Sequence, residues 1–331
     1  GRVSARRFPG IIDSLASGFS LVVRRPYLIV VPVLLDILAW KGPGISAGPV
    51  IQRASSWFLA TVAAGALSPD QLLEANAEIS ALADTLSRWN VLGVLGWQVP
   101  NFLGLGSVDT PAAYVSISSL GSLVPLLLAL ALGGTLLGCL FLGPLGRVVR
   151  GIALDLPTFV RHLPGLWARF TAYLGLLILL GVTLGIPALL LTGLAMAFSP
   201  AAVALVMLLA IGGAFLLAVY LFLGDEAVIV GGVGPVRAIR ESLRIATRHF
   251  WSVVGLFLLV TLISQGLDII WRRIAPTTIG MWSAIIGSAF ISTGLAASVM
   301  VYYWGRRPSV SEVALPREHD PGRSTSAKDG R

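Results

Sequence analysis

Charge is scarce in this chain. Only 12% of its 331 residues are Asp, Glu, Lys or Arg, about half the share of an ordinary soluble domain. With 56% of residues hydrophobic and a mean hydropathy of +0.85, too little polar surface remains to coat a water-soluble globule, and an integral membrane protein is expected. Cysteine is nearly absent. The single Cys139 excludes an intramolecular disulfide and, inside an apolar run, reads as a small packing residue rather than a reactive thiol. The three histidines, His162, His249 and His319, have no ligand spacing with one another, with Cys139 or with an acid cluster, so no metal site is read. There is no Gly-x-Ser-x-Gly, no phosphate loop and no acid pair placed for glycosyl transfer; no catalytic residue and no cofactor is expected. Lysine is scarce as well, 2 against 22 arginines. The basic residues flank apolar runs instead of forming a patch with exposed aromatics, which excludes nucleic acid as a partner.

What the chain has is apolar runs, and six candidate spans follow. The first is short, Tyr27 to Trp40, and the second lies within Ser116 to Leu145. From Phe170 to Gly224 there is no Asp, Glu, Lys or Arg, a length suited to two spans turning at Ser199 and Pro200. The fifth runs from Trp251 to Trp271, about 30 Å of helix, matching the hydrocarbon core. The sixth runs from Ile279 to Trp304 and ends at Arg306 and Arg307. Assigned to alternate sides, 19 of the 24 basic residues fall with the N-terminus and the tail, leaving Lys41, Arg53, Arg88, Arg272 and Arg273 opposite. The positive-inside rule then places both termini in the cytoplasm of a bacterial inner membrane. A cleavable signal peptide ending near Ala47 is disfavoured by the 26 amphipathic residues ahead of the first apolar run.

An amphipathic stretch precedes a span three times, over 11–38, 156–180 and 238–263, the middle copy being interrupted by Pro157 and Pro164. The first copy sets Ile12, Leu15, Phe19 and Val22 against Asp13, Ser17, Ser20 and Arg24, as a surface helix would. In the third, at 3.6 residues per turn, Val236, Ile239, Leu243, Ala246 and Phe250 share one face and Arg237, Glu241, Arg244 and Arg248 the other. Such a helix, 234–250, suits the headgroup layer, with Arg237, Arg240, Arg244 and Arg248 as candidate contacts for anionic lipid. Asp225 and Glu226 are expected to neutralise these arginines. The run from Asp225 to Val260, with Ala238 and Ser242 four apart and Phe250 and Trp251 following, resembles the membrane domain fused to some bacterial glycerophosphodiester phosphodiesterases, and related six-helix bacterial membrane families of unknown role; the match centres on residues 225–265. The resemblance implies a fold more than an activity, because the soluble barrel of those fusions, with its His and metal-binding acids, has no counterpart here. The segment 41–112 departs from that pattern.

Within 41–112, Ser68 and Pro69 read as cap and first turn of a helix to about Trp89, with Leu72, Ala75, Ile79, Leu82, Leu86 and Trp89 as its apolar stripe. This helix, 69–89, packs on an external cap or the membrane surface, or takes a protein partner. The apolar stretch 91–105, broken by glycines and Pro100, reads as interfacial or re-entrant. Glycines four apart, Gly134 with Gly138 and Gly181 with Gly185, and seven apart, Gly280, Gly287 and Gly294, predict close helix packing, and Pro187 predicts a kink. Two acids lie in spans. Asp268 has Arg272 one turn on, an i,i+4 ion pair; Asp36 has no local cation, and Arg272 with Arg273 is the expected partner across helices.

These features describe an all-α polytopic membrane protein of about six transmembrane helices, arranged as three units of interfacial helix plus two spans. Residues 1–26 form a cytoplasmic interfacial segment, 27–307 the transmembrane domain and 308–331 a disordered tail. The function expected is non-enzymatic, scaffolding or the handling of lipid and amphiphiles, with membrane lipids as partners. A transporter or channel is the alternative, and a lipid-modifying enzyme a more distant one. Neither ligand nor oligomeric state is encoded legibly. The topology is open to cysteine labelling in a Cys139→Ser background: a cysteine at position 80 should react with an impermeant reagent from outside, and one at position 325 only after permeabilisation. The reverse pattern would overturn it.

Overall fold

A computed structural model describes residues 10–63, 69–99, 114–196 and 198–307. The tail from Pro308, residues 100–113 and the expected cap Ser68 lie outside the described residues. In chain order the elements are α1 (Ile11–Arg24), a 3-10 turn (Pro26–Ile29), α2 (Val30–Lys41), β1 (Gly44–Ser46), α3 (Gly48–Phe58), α4 (Pro69–Ser87), a second 3-10 segment (Val91–Gly96), β2 (Tyr114–Ser116), α5 (Leu120–Val149), α6 (Leu156–Met196), α7 (Pro200–Leu221), α8 (Gly224–Ile229), α9 (Pro235–Arg248), α10 (Phe250–Ile274) and α11 (Thr278–Arg306). Among the described residues five stretches are long and apolar enough to cross a membrane: α5, α6, α7 continued to Ile229, α10 and α11. The chain is therefore an all-α multi-pass membrane protein. Its two short strands, paired in parallel with Gly44 opposite Tyr114, are a local addition that the sequence did not announce.

The first expected span differs. Between Pro26 and Lys41 the chain makes a 3-10 turn and the 12-residue α2, about 18 Å long and too short to cross unaided. It has help from α1, which is packed into the protein rather than resting on a surface. Its buried residues are Ser14, Gly18 and Val22, while Ile12 of the expected apolar stripe is 79% exposed. A Cβ at Gly18 would overlap Ser298 of α11, and the ring of Phe19 lies over Gly294. Small residues let two backbones meet, and in an apolar solvent that contact outweighs hiding a leucine or isoleucine. Farther on, Phe19 packs on Phe290 and Trp40 sets its ring edge-on to Trp282. Thus α1, the turn and α2 accompany α11 from its last third to its first turns.

The middle unit is also unlike the others. Its amphipathic part and its span form one 41-residue helix, α6, unbroken through Pro164 and Pro187, about 60 Å in length. Ser199 caps α7 through the Ala202 amide and Pro200 occupies the first turn, as read from sequence. The hairpin is rooted at one end only. Thr171 meets Thr135, Trp167 donates to Thr135, and Phe215 and Phe222 meet Phe257, but beyond these roots α6 and α7 project free. Of the most apolar 18 residues in each, 6% are buried, against 56% in α11. A Cβ added at Gly181 or Gly185 would accordingly meet nothing within 4 Å, so among the described residues neither glycine serves as a packing seat.

Gly134 and Gly138 do receive neighbours, Gly138 partly from a helix, since its Cβ would stand 3.5 Å from Phe170 of α6, but the closest approach to both comes from elsewhere. A Cβ at Gly134 would stand 2.8 Å from the Val94 carbonyl, and one at Gly138 2.9 Å from Gln98. The segment 91–99 thus lies against α5 from about 21 Å beyond its first residue, Leu120, which is mid-depth in that helix. Asn90 anchors it, its side chain accepting from the amides of Ile45 and Leu92 at 3.1 Å each. Outside this segment α3 packs on α4. Leu82 of the expected stripe is 58% exposed and Ala83 is buried instead, because the α3 contact is a close one made by small side chains, Gly48 against Ser87.

Leucine at position 18 should drive α1 off α11, costing about 1–3 kcal/mol or more. The same change at Gly181 should leave stability unaltered. Thermal melts of the two detergent-solubilised variants check the contrast.

Candidate lipid-facing site at the basic end

The third amphipathic stretch carries the densest polar chemistry. α8 ends in a turn whose Gly232 has φ +67, a conformation that favours glycine; Arg169 of α6 holds this turn by donating from Nη1 to the Gly232 carbonyl at 2.8 Å. Pro235 then starts α9. His249 breaks the helix before α10 begins at Phe250.

α9 packs on α6, α7 and α8, and the face it buries is not the one its hydrophobic stripe suggests. Ala238, Glu241, Ser242, Ile245 and Ala246 are buried, whereas Val236 is 56% exposed. Ser242 explains part of the choice. Its hydroxyl donates to the Tyr220 carbonyl at 2.7 Å and accepts from the Leu223 amide at 3.2 Å, satisfying backbone groups that the end of α7 leaves unpaired. Glu241 explains the rest. Assigned by periodicity to the headgroup face, it is buried, with Oε2 accepting from the Tyr303 hydroxyl at 2.7 Å and Oε1 from Arg237 Nε at 3.1 Å. A buried carboxylate is tolerable only when so partnered. The Arg237 end of the pair is 64% exposed, so the hydroxyl rather than the ion pair carries most of the stabilisation.

The opposite face matches the expectation. Arg237, Arg240, Arg244 and Arg248 are all exposed. Val236 and Leu243, also exposed, border them on one side. Asp225 and Glu226 do not neutralise these arginines. They sit part-buried in α8, with the Asp225 carboxyl facing the Tyr173 hydroxyl. Two ion pairs join described residues, Arg237–Glu241 and Arg272–Asp268, and Arg240, Arg244 and Arg248 take part in neither.

The intramembrane acids separate. Asp268 accepts from Arg272 Nε at 2.8 Å, the local pair read from their spacing. Asp36 is wholly buried, whereas Arg272 and Arg273, its expected partners, are both exposed. The physical reason is placement: α2 packs beside α11 and α5, while the two arginines occupy the solvent-facing end of α10. Among the described residues no group of three His, Cys, Asp or Glu is arranged to hold a metal ion.

Sequence reasoning missed Glu241, Ser242 and Tyr303 as one cluster. A signal existed, because Ala238, Ser242 and Ala246 stand four apart and mark a close-packing face. The Ala and Ser of the family-like motif are both wholly buried, so the motif reports how α9 is seated.

Tyr303→Phe should leave Glu241 short of a donor at a cost of about 1–3 kcal/mol. Combined with Glu241→Leu the loss should be well below the sum of the singles, read from denaturation midpoints of the purified variants.

Compared with known proteins, the chain matches no family model, no curated protein and no solved structure.

Proposed function

We propose that this protein is a non-enzymatic membrane domain that engages anionic lipids and other amphiphiles at the cytoplasmic leaflet, with α9 as the headgroup-facing element. The observation that carries the reading is the seating of α9. Glu241 and Ser242 hold one face in the protein, which turns Arg240, Arg244 and Arg248 outward beside the exposed Val236 and Leu243. A basic edge next to an apolar edge is what a lipid interface selects. Next to α9, two sets of ring contacts join the end of α7 to α10: Tyr220 on Phe250, which also meets Trp251, and Phe222 on Phe257. The free apolar flanks of the hairpin continue from there, offering acyl chains a surface in line with the basic helix.

In the same reading, α1 and α2 together make a sixth, broken crossing beside α11, both termini are cytoplasmic, and the α3–α4 cap lies outside, where the helix 69–89 offers a protein contact. The likeness of residues 225–265 to the membrane domains of phosphodiesterase fusions fits a supporting rather than a chemical role. Each juxtamembrane arginine contributes about 1 kcal/mol against an anionic surface. Full-length protein reconstituted in mixed neutral and anionic nanodiscs should enrich anionic lipid around itself. That enrichment should fall with salt and in an Arg240→Gln, Arg244→Gln, Arg248→Gln variant. Equal enrichment around both proteins would leave these arginines a topological role only.

A transporter is the second reading, favoured by a specific pair of features: the wholly buried Asp36 and the segment 91–99 resting at mid-depth on α5. Irregular backbone at that depth is found where protein or water satisfies it, and intramembrane acids mark ion routes. Proton or cation flux into proteoliposomes, abolished by Asp36→Asn, would establish it. Without flux, the same substitution should alter stability alone.

A further inference from the structure

The second concentration of positive charge lies apart from α9, where α5 and α11 end. Both last turns rest on the residues after α8. A Cβ at Gly146 would meet Ile229 at 3.2 Å, and the Tyr303 hydroxyl stands 2.6 Å from the corresponding point of Gly231. This shared seat brings the end of α5, with Arg147 and Arg150, near enough to the end of α11 for the charge of Arg307 to act on Arg150.

Arg147 lies over the Phe159 ring and Arg307 over that of Trp304, but two other ordinary explanations for arginines at helix ends do not hold here. Capping is one of them. Here the terminal carbonyls of α5 are met by backbone: Gly146 accepts from the Arg150 amide at 3.2 Å, Val148 from Gly151 at 3.0 Å and Arg147 from Ile152 at 2.9 Å. Ion pairing is another. Neither ion pair among the described residues involves these three side chains. Asp155, close to Arg147, gives it only a carbonyl, at 3.3 Å, while its carboxylate accepts from Thr158. Glu241 is held by Arg237 and Tyr303. Arg150 is the informative member, since its Nε is buried and no acceptor reaches it. A buried donor without an acceptor costs free energy unless something supplies one.

We propose that Arg147, Arg150 and Arg307 form a binding site for a phosphate group, with Arg150 as its inner ligand. Guanidinium forks match phosphate oxygens in pairs, and neighbouring forks that pair with no acid among the described residues suit a dianionic phosphomonoester better than a choline or ethanolamine diester. Burial, then Arg147 and Arg307, push the Arg150 guanidinium below its usual range, as expected where positive charges crowd without an anion. The phosphate belongs either to an anionic lipid headgroup or to a free phosphate. The lipid form rests on the cytoplasmic-leaflet reading above; the free form does not.

The test uses full-length protein in neutral maltoside detergent, with retained ligand followed by native mass spectrometry. The probes are dioctanoyl phosphatidic acid, dioctanoyl phosphatidylcholine and inorganic phosphate. The native protein should retain phosphatidic acid over phosphatidylcholine, and Arg150→Gln with Arg307→Gln should weaken that binding about tenfold or more. The exposed-arginine control Arg88→Gln with Arg273→Gln should keep it within about twofold, and the α9 variant Arg240→Gln, Arg244→Gln, Arg248→Gln should lose less of it than the Arg150, Arg307 pair. Undiminished binding in the Arg150, Arg307 pair overturns the site, as does a loss confined to the α9 variant. Displacement of phosphatidic acid by a similar concentration of inorganic phosphate assigns the site to free phosphate; failure to displace it assigns the site to the headgroup. Should the glutamine pair not elute as folded protein, Arg150→Lys with Arg307→Lys carries the test. Charge is kept there and the fork is lost, so binding should still weaken about threefold, and unchanged binding overturns the assignment. Failure of the wider lipid reading shows separately, as equal anionic enrichment around native and α9-variant nanodiscs with phosphatidic acid binding intact.

Discussion

Glu241 sits where water cannot stabilise a carboxylate, and the architecture of the basic end follows from how that charge is satisfied. One oxygen takes the Tyr303 hydroxyl from the last turns of α11, the other takes Arg237 one turn earlier on α9. Since each bond has a direction, the pair fixes both the rotation of α9 and its distance from α11. Ser242, on the next position of the same face, binds the carbonyl and amide at the end of α7. A helix with a strong basic character could slide or roll on a membrane surface; these bonds prevent it. The outward direction of Arg240, Arg244 and Arg248 is therefore a consequence of a buried acid and a buried serine.

Elsewhere the helices are held by close backbone contact. Gly18 on Ser298, Gly294 under Phe19 and Gly287 under Trp271 form a ladder along α11, which makes it the most buried of the long helices. In an apolar solvent there is little to gain from hiding leucine, so shape complementarity and satisfied backbone groups decide which surfaces meet. The same logic leaves the α6–α7 hairpin projecting. Beyond its root it is apolar on every side and, among the described residues, makes no hydrogen bond to the other helices, so none of these draws it in.

These two regimes give the protein an uneven character that bears on function. A rigid part, α1, α2, α5, α10 and α11, is joined to the hairpin only near the basic end, and at that same end lie α9 and the arginines of α5 and α11. Exposed positive charge and exposed apolar surface are thus adjacent. An amphiphile has the complementary arrangement, and this adjacency, more than any one residue, supports a lipid-handling role.

Composition and the apolar runs determined by themselves that the chain is helical and multi-pass, because no other structure satisfies the backbone of such a sequence in lipid. Local signals were equally legible: the Ser199–Pro200 turn, the Asp268–Arg272 pair, the helix beginning at Pro69 and the basic face of α9. Each depends on residues within a turn or two of one another. What escaped sequence reasoning involves partners distant along the chain. Periodicity placed Glu241 among the headgroups because it could not see Tyr303, 62 positions away. It read α1 by its bulky stripe because Ser298, the reason for its glycine face, lies 283 positions from Leu15. Gly134 and Gly138 looked like a helix–helix seam, and only tertiary structure could supply the irregular segment that fills it. A sequence records which faces can bury, whereas the partner that pays for the burial is chosen by the fold.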